Sequence, residues 1–159
     1  MTLIHTGGCQ CGAVRYKAEG DIGFPHLCHC RMCQKAGGSY FLPFGAVGHE
    51  DFALTRGEPA WFQSSETVRR GFCAQCGTPL FYDGGSDHMS ITLGSLDDSQ
   101  SVKPELQANL KHKMSWFAEL DHLDHQPDYD MTPEQEATIR ASSRQHPDHD
   151  TDDWPRAGL

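Results

Sequence analysis

A chain of 159 residues with a formal net charge of -9 is long enough for one ordinary core and too short for two. Leu, Ile, Val and Phe total 28 of those residues, few enough to suggest disorder, but a domain short of apolar side chains can be held by metal ligation, and the chain has seven cysteines. Residues 121–159 hold ten Asp and Glu against three Arg, no basic stripe suits nucleic acid, and no run approaches the roughly 18 apolar residues of a membrane span.

The start, Met1-Thr2-Leu3-Ile4-His5-Thr6, has neither a basic region nor an apolar stretch of the secretory kind, so a soluble cytoplasmic protein is expected. In a reducing compartment, closely spaced thiols serve as metal ligands or redox groups rather than structural disulfides. An odd count of seven cannot pair off in any case.

The first motif is Gly8-Cys9-Gln10-Cys11-Gly12, followed by Val14, Tyr16 and Ala18 alternating with Arg15 and Lys17, which predicts a strand with one buried face. The glycine after Cys11 permits positive φ, so the chain can fold back and aim backbone N–H groups at the sulfur. Gly20, Gly23 and Pro25 predict a loop leading to Cys28-His29-Cys30-Arg31-Met32-Cys33, three thiols within six residues. Arg31 to Ala36 has room for one or two helical turns, stopped by Gly37-Gly38. Ser39–Phe44, Asp51–Thr55, Ala60–Gln63 and Thr67–Phe72 read as short strands set roughly ten residues apart, an all-β cadence.

The last cysteine motif, Phe72-Cys73-Ala74-Gln75-Cys76-Gly77, closes on Cys-Gly as the first does, whereas the middle run ends Cys33-Gln34. That asymmetry favours a partition over the other groupings: Cys9, Cys11, Cys73 and Cys76 around one tetrahedral ion, and Cys28, Cys30 and Cys33 around another. The second ion's fourth corner is either closed by a side chain such as His26 or His29, giving an inert clamp, or left to water and substrate, giving a catalyst. His88–Leu93 and Leu106–Leu110 are further strands, and Ser115-Trp116-Phe117 is placed to cap the core. The texture changes near Asp124, which divides the chain into a zinc-binding domain over 1–123 and an acidic, polar extension over 124–159. Thr132-Pro133-Glu134-Gln135 forms a capping-box start for a short helix, and the end, through Asp152-Asp153-Trp154-Pro155, reads as mobile or docked on a partner. His122, His125, His146 and His149 read as solvated loop residues.

Together, Gly8-Cys9-x-Cys11-Gly12-x-Val14-x-Tyr16, Cys28-His29-Cys30-x-x-Cys33 and Phe72-Cys73-x-x-Cys76-Gly77-x-x-Leu80 resemble the glutathione-dependent formaldehyde-activating enzyme (GFA, CENP-V/GFA) family over roughly residues 5–120. The resemblance implies a mainly β fold, an Mss4-like β-tent of short antiparallel sheets clamped by structural zinc, with short helices and the C-terminal extension outside the pattern. It implies two Zn²⁺ per chain, structural on Cys9, Cys11, Cys73 and Cys76 and catalytic on Cys28, Cys30 and Cys33. It further implies carbon-sulfur lyase or synthase chemistry, the addition of a glutathione-like thiol to a small aldehyde such as formaldehyde, or the reverse.

A three-thiolate zinc with one open position suits thiol activation better than strong carbonyl polarisation, because the anionic ligands weaken its Lewis acidity. Glutathione carries two carboxylates, for which Arg15, Arg31, Lys35, Arg69 and Arg70 are candidates, though arginines such as Arg69 and Arg70 are more often solvated. His29, Arg31, Lys35, Ser39 and Arg70 make up the substrate-contact set. The rivals are a non-catalytic interaction module with a closed second zinc site, and a redox protein cycling Cys30 and Cys33 to a disulfide.

Overall fold

Alternating side chains and glycine punctuation produce ten strands among the described residues, 2–154, of the computed structural model. In chain order these are Ile4–Gly8 (β1), Arg15–Glu19 (β2), Gly23–Cys28 (β3), Leu42–Gly48 (β4), Phe52–Arg56 (β5), Ala60–Gln63 (β6), Arg69–Phe72 (β7), Pro79–Asp83 (β8), His88–Thr92 (β9) and Leu106–Ala108 (β10). They form a three-stranded sheet, β1-β2-β5, and a seven-stranded sheet, β10-β3-β4-β9-β8-β7-β6. Pairing is antiparallel throughout except that β10 runs parallel to β3. The architecture is the mainly β, tent-like one that the sequence leads one to expect. Among the described residues no helix is long and apolar enough to cross a membrane.

Of the loop predicted through Gly20, Gly23 and Pro25, residues 20–22 are irregular as expected, but from Gly23 onward the chain is already β3, an interior strand. Glycine and proline advertise a turn locally, but the sheet absorbs them in an irregularity: the β3/β4 register shifts between Gly23 and His26. Phe24 takes φ 46 there, and the Pro25 carbonyl is not lost to solvent because it accepts from the Glu105 N–H ahead of β10. This strand carries the polypeptide directly into the three-cysteine run.

The core lies where the two sheets meet. Tyr16 is fully buried at its centre, stacked on Phe52 at 5.8 Å and meeting Phe81 edge-on at 5.4 Å, while its hydroxyl hydrogen-bonds Ser95 Oγ at 2.8 Å. Leu80, Ile91, Val47 and Leu93 fill the space around it. Hydrocarbon burial supplies the driving force, and the hydroxyl is satisfied rather than stranded.

Arg15 breaks the alternation that predicts β2. It belongs to the polar set, yet it is 2% exposed, because Asp97 takes its guanidinium bidentately at 2.7 and 2.6 Å and Asp150 adds a second carboxylate at 2.6 Å. Burial opposes ionisation of Asp97, but the hydrogen bonds from Arg15 and Thr6 outweigh it and hold the carboxyl below its ordinary range. An unfolded Asp titrates near about 3.9, so the stability from this carboxylate is whole above about pH 4 and drains as pH falls through the lower folded value. Asp97→Asn should therefore cost about 2–3 kcal/mol at pH 7 and shrink the difference in stability between pH 7 and pH 3, as read by urea unfolding at the two pH values.

Asp150 comes from the C-terminal segment, which is solvent-exposed over residues 121–145 and then anchored to the domain from His146 onward. Helix α2, Pro133–Ser142, begins with a reciprocal Thr132/Gln135 capping box and buries no residue. Beyond it the chain returns to the first cysteine hairpin. The His146 N–H donates to the Gln10 carbonyl at 2.7 Å, the His146 ring meets Trp154 edge-on at 4.9 Å, and the Trp154 indole N–H donates to the Cys11 carbonyl. His146 is 4% exposed, a correction to its reading as a solvated loop histidine. Through Trp154 the end is docked on its own chain; residues 155–159, the expected end at Pro155 among them, lie outside the described residues.

Candidate functional site

Two knuckles of matching geometry build the first cluster. The Cys9 N–H donates to the Val14 carbonyl and the Gly12 N–H to the Cys9 carbonyl, each at 3.0 Å. In the second knuckle the Cys73 N–H reaches the Thr78 carbonyl at 3.0 Å and the Gly77 N–H the Cys73 carbonyl at 2.8 Å. Gly12 and Gly77 sit at φ +75 and +78, the left-handed conformation that an L side chain resists. At Gly12 a Cβ would also strike His146 and Trp154, so that glycine makes room for the returning tail. Val14 N–H and Gln75 N–H point at the sulfurs of Cys9 and Cys73, at 3.2 and 3.4 Å.

The four sulfurs of Cys9, Cys11, Cys73 and Cys76 lie within 4.8 Å of one another, with Cys9–Cys11 and Cys11–Cys73 at 3.7 Å. Tetrahedral zinc with bonds near 2.3 Å separates its sulfurs by about 3.8 Å, so the donor set fits that ion. Burial pushes the Cys11 thiol up to about 12. At Cys76 burial works the same way but is outweighed by Thr78, whose hydrogen bonds bring the thiol down to about 6. A divalent ion resolves this uneven sharing of protons by letting all four ionise.

The second cluster sits where β3 ends and helix α1, Arg31–Gly37, begins. Cys28 is the last residue of β3, held between Leu42 of β4 and Ala108 of β10. Cys30 is the N-cap of α1, its sulfur accepting from the Cys33 N–H at 3.4 Å, and Cys33 lies in the first turn. The Cys28, Cys30 and Cys33 sulfurs also fall within 4.8 Å of one another, and among the described residues no His, Asp or Glu joins them. His26 turns to the Phe24 carbonyl. His29 is fully buried and faces the other way, its Nε2 3.1 Å from Gln107 Oε1 and its ring edge-on to Phe117.

Two side chains attend the sulfurs. Arg70, 8% exposed, directs Nη2 to Cys33 Sγ at 3.5 Å while its Nε donates to Ser64 Oγ and its guanidinium lies 5.1 Å from the centre of the Tyr82 ring. Asn109 donates from Nδ2 to Cys28 Sγ at 3.4 Å, and its backbone takes φ 60 to do so. The hydrogen bond from Cys33 draws the Cys28 thiol down to about 4, and the same bond with burial pushes Cys33 up. Three sulfurs with one cation beside them want a metal to neutralise the rest.

Of the predicted contacts, Arg70 reaches the cluster and His29 supports it from behind. Arg31, Lys35 and Ser39 are exposed on or just after α1, Arg31 bonding Gln34 Oε1 at 3.1 Å. Arg15 is committed to Asp97 and Asp150 beside the other cluster, and Arg69 pairs with Asp83 at 2.8 Å over the Trp61 ring. Asn109 is absent from the sequence-derived set. Gln34 is too, although its amide ties α1 to the carbonyls of His29 and His112. The only local signal for Asn109 is that asparagine tolerates the left-handed region.

Comparison with known proteins agrees with this geometry. A crystal structure of a Rhodobacter sphaeroides protein superposes with a TM-score of 0.52 at 21% identity, covering 64% of this chain and 97% of that one, a likeness of fold. A Halomonas elongata protein named "Putative glutathione-dependent formaldehyde-activating enzyme" is 25% identical over 125 residues, covering 72% of this chain and 80% of that one. Residues 4–112, which hold both cysteine clusters, match the family described as glutathione-dependent formaldehyde-activating enzyme, and the chain belongs to that family.

Proposed function

We propose that this protein is a zinc-dependent enzyme that adds a thiol of the glutathione type to a small aldehyde, or reverses that addition, in the cytoplasm. The observation that carries the reading is a three-sulfur cluster with no fourth His, Asp or Glu beside it among the described residues, set in a chain of this family. Cys28, Cys30 and Cys33 would hold the catalytic zinc and Cys9, Cys11, Cys73 and Cys76 the structural one. The catalytic ion would supply an open coordination position at which an incoming thiol ionises at neutral pH.

This chain's own groups tune and aim that position. Arg70 and Asn109 donate to Cys33 and Cys28, withdrawing charge from sulfurs that would otherwise blunt the site. Arg31 and Lys35 project from α1 into solvent, where they can take the carboxylates of the thiol substrate, with Ser39 beyond the helix stop. His29 holds the Cys28–Cys30 backbone through its packing on Phe41 and Phe117 and its bond to Gln107.

Zinc quantification followed by NMR of glutathione with formaldehyde tests the reading. Two zinc per chain and adduct formation above the spontaneous rate are expected; a fully loaded protein that leaves the rate unchanged overturns it. Arg70→Gln keeps a donor but removes the charge, and should weaken zinc retention at the three-cysteine site by roughly 10- to 100-fold in chelator competition while the four-cysteine ion stays.

A further inference from the structure

Beside the three-cysteine cluster lies a cavity of about 440 Å³, walled by Leu42, Phe44, Phe62, Phe72 and Phe81, with Arg70 as its charged group. Leu42 and Phe44 also pack against Cys28 and Cys33, and Arg70 bonds Cys33 Sγ, so cavity and cluster share a wall. The cavity's other polar side chain, Thr92, is already spent: its hydroxyl donates to the Pro79 carbonyl at 2.8 Å. Arg70 uses Nε and Nη2 on Ser64 and Cys33, and its Nη1 has no hydrogen-bond partner among the described residues.

A space of this size is in the range of sites for small organic ligands, and is many times the share of a single water, about 30 Å³. Formaldehyde, one carbon and one oxygen, would leave nearly all of it unused. Glutathione does not suit it either, since the tripeptide's two carboxylates and amides would be desolvated against phenylalanine rings with one guanidinium to answer them. The cations that suit the tripeptide, Arg31 and Lys35, are outside on α1, whose Ala36 forms an exposed part of the cavity rim.

We propose that the cavity takes the apolar body of the aldehyde, so that the substrate class is aldehydes bearing a hydrocarbon group, with the carbonyl beside Arg70 at the wall common to the cluster. This rests on the thiol-aldehyde reading above. The thiol sulfur bonds to the carbonyl carbon, the C=O π pair passes to oxygen, and that oxygen takes up the proton the thiol gave up. No oxidant or further reactant is needed. Arg70 Nη1 is free to hold the developing negative oxygen. The sequence hides this cavity because its walls come from α1, β4, β6, β7, β8 and β9, brought together from residues 36–92.

The test is kcat/KM of the zinc-loaded protein with glutathione and straight-chain aldehydes from ethanal to pentanal, whose carbonyls differ little in reactivity. A rise of about 4-fold per added methylene is expected from burial of the chain. Ala36→Phe, at an exposed helical position, should fill the rim and flatten the series, and Phe62→Ser should shallow the slope by removing an exposed wall. A flat series with formaldehyde still accelerated overturns the proposal and leaves the thiol-aldehyde reading intact. Should no aldehyde be accelerated, that reading falls. NMR titration of the holoprotein with 1-pentanol then decides the cavity: perturbation of Phe62 and Phe72 signals that Ala36→Phe abolishes supports an apolar site, and no perturbation overturns it.

Discussion

Cys76→Ser should leave the chain largely unfolded or insoluble at room temperature. Its sulfur belongs to a cluster that joins the hairpin at residues 9–12 to the one at 73–77, across the sixty residues 13–72. Closing a loop of that length is entropically unfavourable, and a chain with 28 Leu, Ile, Val and Phe has little burial to set against it. A structural zinc contributes its binding free energy to folding, and losing such a site belongs with the rare substitutions that cost more than about 4 kcal/mol, a large share of a typical total of about 5–15. Thr78 would be affected too, since its hydroxyl lies 3.2 Å from the Cys76 sulfur while accepting from the Gln10 N–H of the opposite knuckle. Far-UV circular dichroism and zinc content of the purified variant check this; a soluble, cooperatively folding variant would show that the cluster does not staple the fold.

What could be read from the chain, and what could not, divides by the range of the interaction. The Cys-Gly knuckles, the helix opened by Cys30 and stopped at Gly38, and the β6 strand at Ala60–Gln63 are local, each written in a few adjacent residues. β3 escaped notice because Gly23 and Pro25 carry turn chemistry, and only the flanking strands β4 and β10 override it. Arg15 reads as a surface residue because its partners, Asp97 and Asp150, lie 82 and 135 residues away. Arg70 and Asn109 come to the sulfurs from β7 and from the turn after β10, and nothing next to either residue announces a cluster near residue 30. The acidic tail is polar enough to pass for a solvated segment. Yet four polar anchors, to Gln10, Cys11, Arg15 and Arg56, hold it over the first knuckle, and no periodicity in residues 143–154 encodes them.

Cys30→Ser should do the opposite of Cys76→Ser, abolishing catalysis while leaving the fold standing. Cys30 is half-exposed and occupies the N-cap of α1, where its sulfur accepts from the Cys33 N–H. Serine is among the best residues for that position, so its hydroxyl oxygen inherits the cap, and the helix start is kept or slightly strengthened. The substitution therefore removes a metal ligand without removing a structural one. Two sulfurs, Cys28 and Cys33, remain, too few to hold the ion against solvent, with Arg70 and Asn109 left donating to thiols. Zinc should fall from two per chain to one, adduct formation should drop to the spontaneous rate, and the melting temperature should move by no more than about 4 °C. The pair of variants separates the two clusters by role. If Cys30→Ser and Cys76→Ser lose stability equally, both ions are staples and the thiol-aldehyde assignment fails. If Cys30→Ser keeps its activity, the reaction runs at some other place in the molecule.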